Sequence, residues 1–411
     1  MNLKRILLGL LIITQFSLAY GADPAVSYKL YGFIRNDFYF NSRKNIEALD
    51  GLFNMFPFPE SLKDGKDANA TPNAEMLAIS TRLGLDFTGP MILGAKSSAK
   101  IEADFAGISS AYYVVRLRQA YTKLNWTKNE LLVGQTWHPM YANLQPVTPA
   151  LSVATPFQSF NRSPQVRFKH TINSNLSLTA AAVYQMQYMT QGPNGASVSY
   201  MKEGLLPSGF IGLDYVAKHV SAGLGFDGKS LKIGDVRLNS GAAVAYARYA
   251  SGKFQVSAKS VLGQNMSELL TPGGYGVSAY NADVVSDYTN INTSTSWLSL
   301  SYGSKVQVAL YGGFLKNLGS NDDLAIKDGK YTYYGYGAYA NSNTSSSSAQ
   351  IQLDQLYRIA PSISYTVGSL KFGCEYELTT ATYGTMQVDG RVSNPYHVSN
   401  HRILGTVSFL F

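Results

Sequence analysis

Along most of this chain polarity switches with every residue. Nowhere does it collect the 18 or more consecutive apolar residues that a membrane-crossing helix needs. Between Lys96 and Ala106, one parity holds Ala99, Ile101, Ala103 and Phe105, and the other holds Lys100, Glu102 and Asp104. Between Thr81 and Thr88, Leu83, Leu85 and Phe87 oppose Arg82, Asp86 and Thr88. A period of two is a strand with two unlike faces. Charges kept to one parity belong on a wet surface, and their apolar opposites suit hydrocarbon. A closed sheet with a polar interior meets both demands without leaving backbone groups unpaired in lipid.

Reading this period along the chain predicts strands at Tyr28–Phe40, Leu77–Thr88, Lys96–Ala106, Tyr112–Trp126, Leu131–His138, Gln165–Thr171, Leu176–Tyr188 and Gly209–Ala217. It continues at His219–Ile233 (interrupted by glycines), Gly241–Ala250, Lys253–Gln264, Thr293–Tyr302, Lys305–Lys316, Ile351–Val367, Leu370–Tyr383 and a closing strand from His401. The expected fold is all-β: a transmembrane antiparallel β-barrel of about 16 strands. Short turns (Ser251-Gly252, Gly303-Ser304, Gly368-Ser369) alternate with long loops (Asn41–Asn73, Asn265–Asn292, Asn317–Gln350, Gly384–Asn400). That sorting suits short periplasmic turns at one end and long extracellular loops at the other, with both termini on the short side. Phe38, Phe40, Tyr112, Tyr113, Trp126, Trp137 and Tyr383, near strand ends, suit interfacial girdles.

The ends of the chain fit this picture. Lys4 and Arg5, the apolar run Ile6 to Leu18 and the small-x-small Ala19-Tyr20-Gly21 read as a signal peptide over 1–21, which leaves 22–411 as a single domain. Ile403, Gly405, Val407, Phe409 and Phe411 share a face of the last strand. A terminal strand closing on Phe looks like the insertion signal of bacterial outer-membrane barrels. Composition agrees: 29 Tyr and 37 Gly stand beside only 15% charged residues. Cys374 is the sole cysteine, so no intrachain disulfide staples a loop fold.

Formal charge is +8, or +6 without Lys4 and Arg5. No long Lys/Arg run points to nucleic acid, so the excess suits a channel lining that favours small anionic or polar solutes. No cofactor motif is present. The five histidines (His138, His170, His219, His397, His401) surround no nucleophile, which argues against an enzyme. Asp322, Asp323 and Asp328 form a weak calcium candidate that reads better as a solvated acidic turn.

The inward parity concentrates arginine early in the chain: Arg35, Arg82, Arg116, Arg118, Arg162 and Arg167. Lys169 shares a face with Arg167, and Arg402 lies on the closing strand, expected beside Arg35 or Asp37. With Asp37, Asp86, Lys100, Glu102 and Asp104 they make the candidate pore lining. Guanidinium keeps its proton and grips carboxylate or phosphate with paired hydrogen bonds. Such a ladder either selects anions or neutralises the acids and braces the wall. The segment Pro139–Pro164, stiffened by five prolines and carrying Leu144, Val147, Leu151, Val153, Phe157 and Phe160, is the constriction candidate. Folded inward it sets Arg162 at the pore; folded outward it packs at a subunit interface.

Thr81–Pro90, Lys100–Phe105, Leu117-Arg118-Gln119-Ala120-Tyr121, Val133-Gly134-Gln135-Thr136-Trp137 and Arg162–Arg167 resemble the DcaP-like porins in order and spacing over roughly residues 80–170. The resemblance implies a sixteen-stranded barrel, a homotrimer in a bilayer bearing lipopolysaccharide, an inward third loop and passive uptake of small anions such as dicarboxylates. It places Arg116, Arg118 and Arg167 on channel-lining strands. Such porins often carry a coiled-coil extension before the barrel, whereas here Tyr28 begins a strand almost at once. The loop Asn41–Asn73, with Phe53, Met55, Phe56 and Phe58, is therefore a candidate latch onto a neighbouring copy. The rival reading is a structural or adhesive barrel with a closed lumen, whose Tyr331–Tyr339 and Asn341–Ser348 loops bind a partner.

Overall fold

The structure, a computed structural model, describes residues 26–48, 51–106, 114–142, 144–151, 153–340 and 350–411. The leader 1–21, Tyr112, Tyr113 and Asn341–Ser348 lie outside the described residues. Sixteen strands form the wall: β1 (Ser27–Asn41), β2 (Arg82–Ile92), β3 (Ala95–Asp104), β4 (Arg116–Asn125), β5 (Asn129–Trp137), β6 (Arg162–Thr171), β7 (Leu176–Val183), β8 (Ser208–Val216), β9 (Val220–Ile233), β10 (Val236–Ser251), β11 (Phe254–Gln264), β12 (Val284–Gly303), β13 (Val306–Ser320), β14 (Gln350–Val367), β15 (Leu370–Met386) and β16 (Val392–Leu410). Each pairs antiparallel with the next, and β16 closes on β1 from Phe33↔Leu410 to Asn41↔Arg402. Gly32 and Phe411 seal the seam with two backbone hydrogen bonds, of 3.0 and 3.2 Å. The segment Asn73–Leu77 prolongs β2 past a break and pairs with the upper end of β1. Closure leaves the wall no open edge.

The two faces separate as the alternation requires. Leu30, Ile34, Phe38 and Phe40 of β1, with Ile403 and Phe409 of β16, stand exposed on the outside. Each such side chain gains about 1.5–3 kcal/mol on leaving water, so a continuous belt of them calls for hydrocarbon around it. Arg35, Asp37, Glu102, Asp104, Arg118 and Arg402 point inward and are buried. The fold is a transmembrane β-barrel.

Connections at the end holding both described termini are two to four residues long, such as 93–94, 172–175 and 252–253. At the other end most are long, with two departures from expectation. The link 234–235 is short, and β16 starts at Val392, so the loop read as Gly384–Asn400 shrinks to 387–391. Within the loop read as Asn265–Asn292, Gly273–Asn281 instead pairs with β12 and with Tyr333–Tyr336, raising the wall on that side. Gly274 allows this approach, since a Cβ there would lie 2.0 Å from the Tyr334 carbonyl oxygen.

Two outer loops fill much of the lumen. The third, between β5 and β6, enters the barrel as expected. The first enters beside it, and this overturns the latch reading: Phe53, Met55 and Phe56 are 3%, 2% and 0% exposed within their own barrel. They pack with Tyr141, Val153, Phe157 and Phe160 of the third loop and with Trp297, Tyr311, Leu356 and Tyr383 of the wall. Trp137 and Tyr383 therefore belong to this interior cluster and not to a girdle: Trp137 stacks on Tyr141 with ring centroids 4.0 Å apart, and the Tyr383 hydroxyl donates to the Pro57 carbonyl at 2.7 Å. The wall makes room at Gly313, where a Cβ would lie 2.8 Å from the Phe157 ring, and at Gly373, where it would meet Pro149 at 2.6 Å.

Candidate constriction site

Register assembles the site. Arg82 of β2 pairs with Asp104 of β3, and Asp104 pairs with Arg116 of β4, so cation, anion and cation adjoin across three consecutive strands. Arg116 grips Asp104 with two bonds, Nε at 2.9 Å and Nη2 at 2.7 Å. Arg118 bridges the pair of acids, its Nε 2.7 Å from Glu102 and its Nη1 2.8 Å from Asp104. The Arg82 Nε lies 4.0 Å from Glu102, an ion pair too long for a hydrogen bond, and is buried without a hydrogen-bond partner among the described residues.

Arg162, at the start of β6, completes the cluster. It is fully buried, and among the described residues its Nε, Nη1 and Nη2 all lack hydrogen-bond partners. Its guanidinium lies over Trp137 at 4.5 Å and over Phe160 at 5.4 Å, a cation–π setting that spares some desolvation cost but satisfies no N–H. Four guanidinium groups thus share two carboxylates. Beside them is a cavity of about 50 Å³ lined by Arg82, Arg116, Arg118, Trp137, Leu52 and Phe53 among others. In a site shielded from water, such an excess of oriented donors favours an anion.

The remaining predicted residues divide by role. Arg35 is bound to Asp37 (2.6 Å) and donates to the Pro149 carbonyl of the third loop at 2.9 Å. The Ser80 hydroxyl donates to Asp37 at 2.7 Å. Arg402 lies opposite Asn41 and not beside Arg35 or Asp37; it stacks over Tyr39 and donates to the Gly51 carbonyl of the first loop at 2.9 Å. These arginines hold loop backbone. Lower in the lumen, Lys100 pairs with Asp86 at 3.0 Å and donates to the Tyr31 hydroxyl, which donates to Glu102 at 3.0 Å. Arg167 donates to Gln165 and to the Trp137 carbonyl, and Lys169 lies two residues further on.

The calcium candidate does not converge. Asp322 accepts from the Thr289 hydroxyl at 3.2 Å, Asp323 is exposed, and Asp328 sits in a hairpin turn with φ 51°. No group of three or more His, Cys, Asp or Glu side chains is placed to hold a metal among the described residues.

Sequence reasoning missed Arg358 of β14, which ties both inward loops to the wall. Its Nη1 donates to Val153 and Thr155 at 2.7 Å, and its Nη2 donates to Asn54 and Met55 at 2.7 and 2.9 Å. Its Nε donates to Thr379 at 2.8 Å and lies 3.3 Å from Glu377. Glu377 accepts from Asn54 Nδ2 at 2.6 Å, closing the network. The one hint in the sequence was its place on the inward parity of the strand, between Leu356 and Ala360.

No family model and no curated protein sequence matches the chain. Solved structures do. The outer-membrane channel DcaP of Acinetobacter baumannii shares 20% identity over 95% of this chain and 99% of its own, with a TM-score of 0.69. An anion-selective porin from Comamonas acidovorans shares 11% identity over 94% and 100%, at 0.57. OmpF of Salmonella typhi, solved with daunomycin, shares 11% identity over 95% and 99%, at 0.54. At such identities the likeness is one of fold, that of the outer-membrane porins and channels.

Proposed function

We propose that this chain is a porin of the Gram-negative outer membrane. Exported behind the leader 1–21, residues 22–411 form a water-filled channel for passive diffusion of small hydrophilic solutes, with a preference for anions such as dicarboxylates. It works as a homotrimer in a bilayer bearing lipopolysaccharide. One observation carries the anion preference: among the described residues, the Arg162 guanidinium is buried without a hydrogen-bond partner, beside Arg82, Arg116 and Arg118 with only two carboxylates among them. An uncompensated buried charge is costly, and an arriving carboxylate offsets that cost. The barrel fold shared with an anion-selective porin supports the same reading.

A second reading, a structural barrel with a closed lumen, is favoured by one fact: the cavity beside the arginines is only about 50 Å³. Planar-bilayer recording separates the two. The porin reading expects stepwise conductance from purified protein; its absence leaves the closed barrel. Replacing Arg116, Arg118 and Arg167 with glutamine is expected to move the reversal potential towards cation preference. An unmoved potential assigns these arginines to bracing alone. Liposome swelling across sugars, amino acids and dicarboxylates then identifies the solutes.

A further inference from the structure

We propose a second anion station between the third loop and the short-turn end of the lumen, formed by Arg167 and Lys169 of β6 and Arg248 of β10. It rests on the channel reading above and adds a place where a solute pauses after the constriction. The three cations line a cavity of about 210 Å³, roofed by Pro139 and Leu144 of the third loop and also lined by Asp214 and Tyr246. Its position follows from sequence: Lys169 lies two residues before the end of β6, and Arg248 three before the end of β10.

The balance of charge here differs from that at the constriction. There, Arg116 and Arg118 are committed to Asp104 and Glu102. Here, Asp214, the only acid lining the cavity among the described residues, is engaged by neutral donors: the Tyr246 hydroxyl bonds one carboxylate oxygen, and the Thr179 hydroxyl reaches the other at 3.4 Å. Glu130, opposite Lys169 on β5, is paired with Lys123 at 3.2 Å. Among the described residues, none of Arg167, Lys169 and Arg248 forms an ion pair with a carboxylate. Arg167 is also held in place, its Nε and Nη2 bonded to Gln165 Oε1 at 3.0 and 2.7 Å and its Nη2 to the Trp137 carbonyl at 2.6 Å. A fixed guanidinium needs little reordering to meet a ligand, whereas Arg248 is exposed and can swing toward it. A concave wall focuses the field of such charges on the space it encloses. The chemistry suits a small organic anion with one or two carboxylates, and the Tyr246 and Ser221 hydroxyls are within the same lining to meet its remaining oxygens.

Reductive methylation of Lys169, read by mass spectrometry on the folded wild-type protein in detergent at fixed ionic strength, tests the station with succinate as probe. Saturating succinate is expected to slow Lys169 labelling about fivefold, the effect of one accessible charge contact. Lys218, exposed in the turn 217–219, should label at an unchanged rate. R248Q should remove most of the protection. Lys169 labelling at the same rate with and without succinate overturns the proposal. Because labelling needs no ionic current, protection in a protein that does not conduct upholds the station and overturns the channel. An anion-preferring channel with an unprotected Lys169 does the opposite.

Discussion

Arg358 shows how far one side chain can determine the shape of a pore. A guanidinium has five N–H donors in a rigid plane, and here that plane serves four carbonyls on two loops as well as Thr379. R358Q leaves Glu377 buried without its cation and strips the loop carbonyls of donors, a loss of about 3–5 kcal/mol by the measure of broken buried pairs. Equilibrium urea unfolding of the purified barrel should show that loss. Single-channel records should show a larger, noisier conductance as both loops loosen. R358K keeps the charge but not the fork and should fall between; R358Q records indistinguishable from wild type would remove the pin from the account. Arg162 is the complementary case. It was expected at the pore from its place at the end of the proline-rich segment, but its lack of partners could not be read from its neighbours in sequence, because partners are set by strands far apart in the chain.

Among elements, the strands were the legible part. Lipid outside and water inside impose one parity on every span, so Ile101 and Glu102 declare their faces without any knowledge of the fold. Loops obey no such rule. Phe53, Met55 and Phe56 are apolar enough to need cover, but a neighbouring subunit and the chain's own lumen offer the same chemistry, and the structure chooses the lumen. Gly273–Asn281 escaped notice because its glycines read as turn punctuation when they serve close strand approach. For the proposed homotrimer, deleting Gly51–Phe58 should leave a heat-resistant trimer band on a gel unchanged while enlarging conductance; a band lost on deletion would return the segment to subunit contact. The outer part of the same loop carries a pH-sensitive tie. Burial works to raise the Asp67 carboxyl, but the Ser61 and Asn69 backbone N–H groups and the Arg43 guanidinium outweigh it and hold it below the usual carboxylate range. A carboxyl whose pKa falls on folding stabilises above its unfolded value of about 4 and loses that contribution as pH drops through the lower folded value. Hydrogen exchange over residues 59–69 should quicken as pH falls below about 4, after correction for intrinsic exchange. D67N should show the quickened rate already at neutral pH.

The whole molecule is a barrel whose basic groups fall into two uses. Arg35, Arg358 and Arg402 hold loop carbonyls, which is bracing; Arg162, Lys169 and Arg248 have no carboxylate ion pair among the described residues and keep charge free along the lumen. Composition showed the positive excess and parity showed the side it faces, but only the folded loops sort it between these uses. A channel that selects by uncommitted charge loses selectivity as salt screens it, since the Debye length falls from about 10 Å at 0.1 M to about 3 Å at 1 M. The reversal potential of the wild-type channel in a potassium chloride gradient tests this most directly. Stepwise conductance is expected, with a zero-current voltage that lies toward the chloride equilibrium potential at low mean salt and relaxes toward zero as mean salt rises. A zero-current voltage toward the potassium potential, or one indifferent to salt, would contradict it.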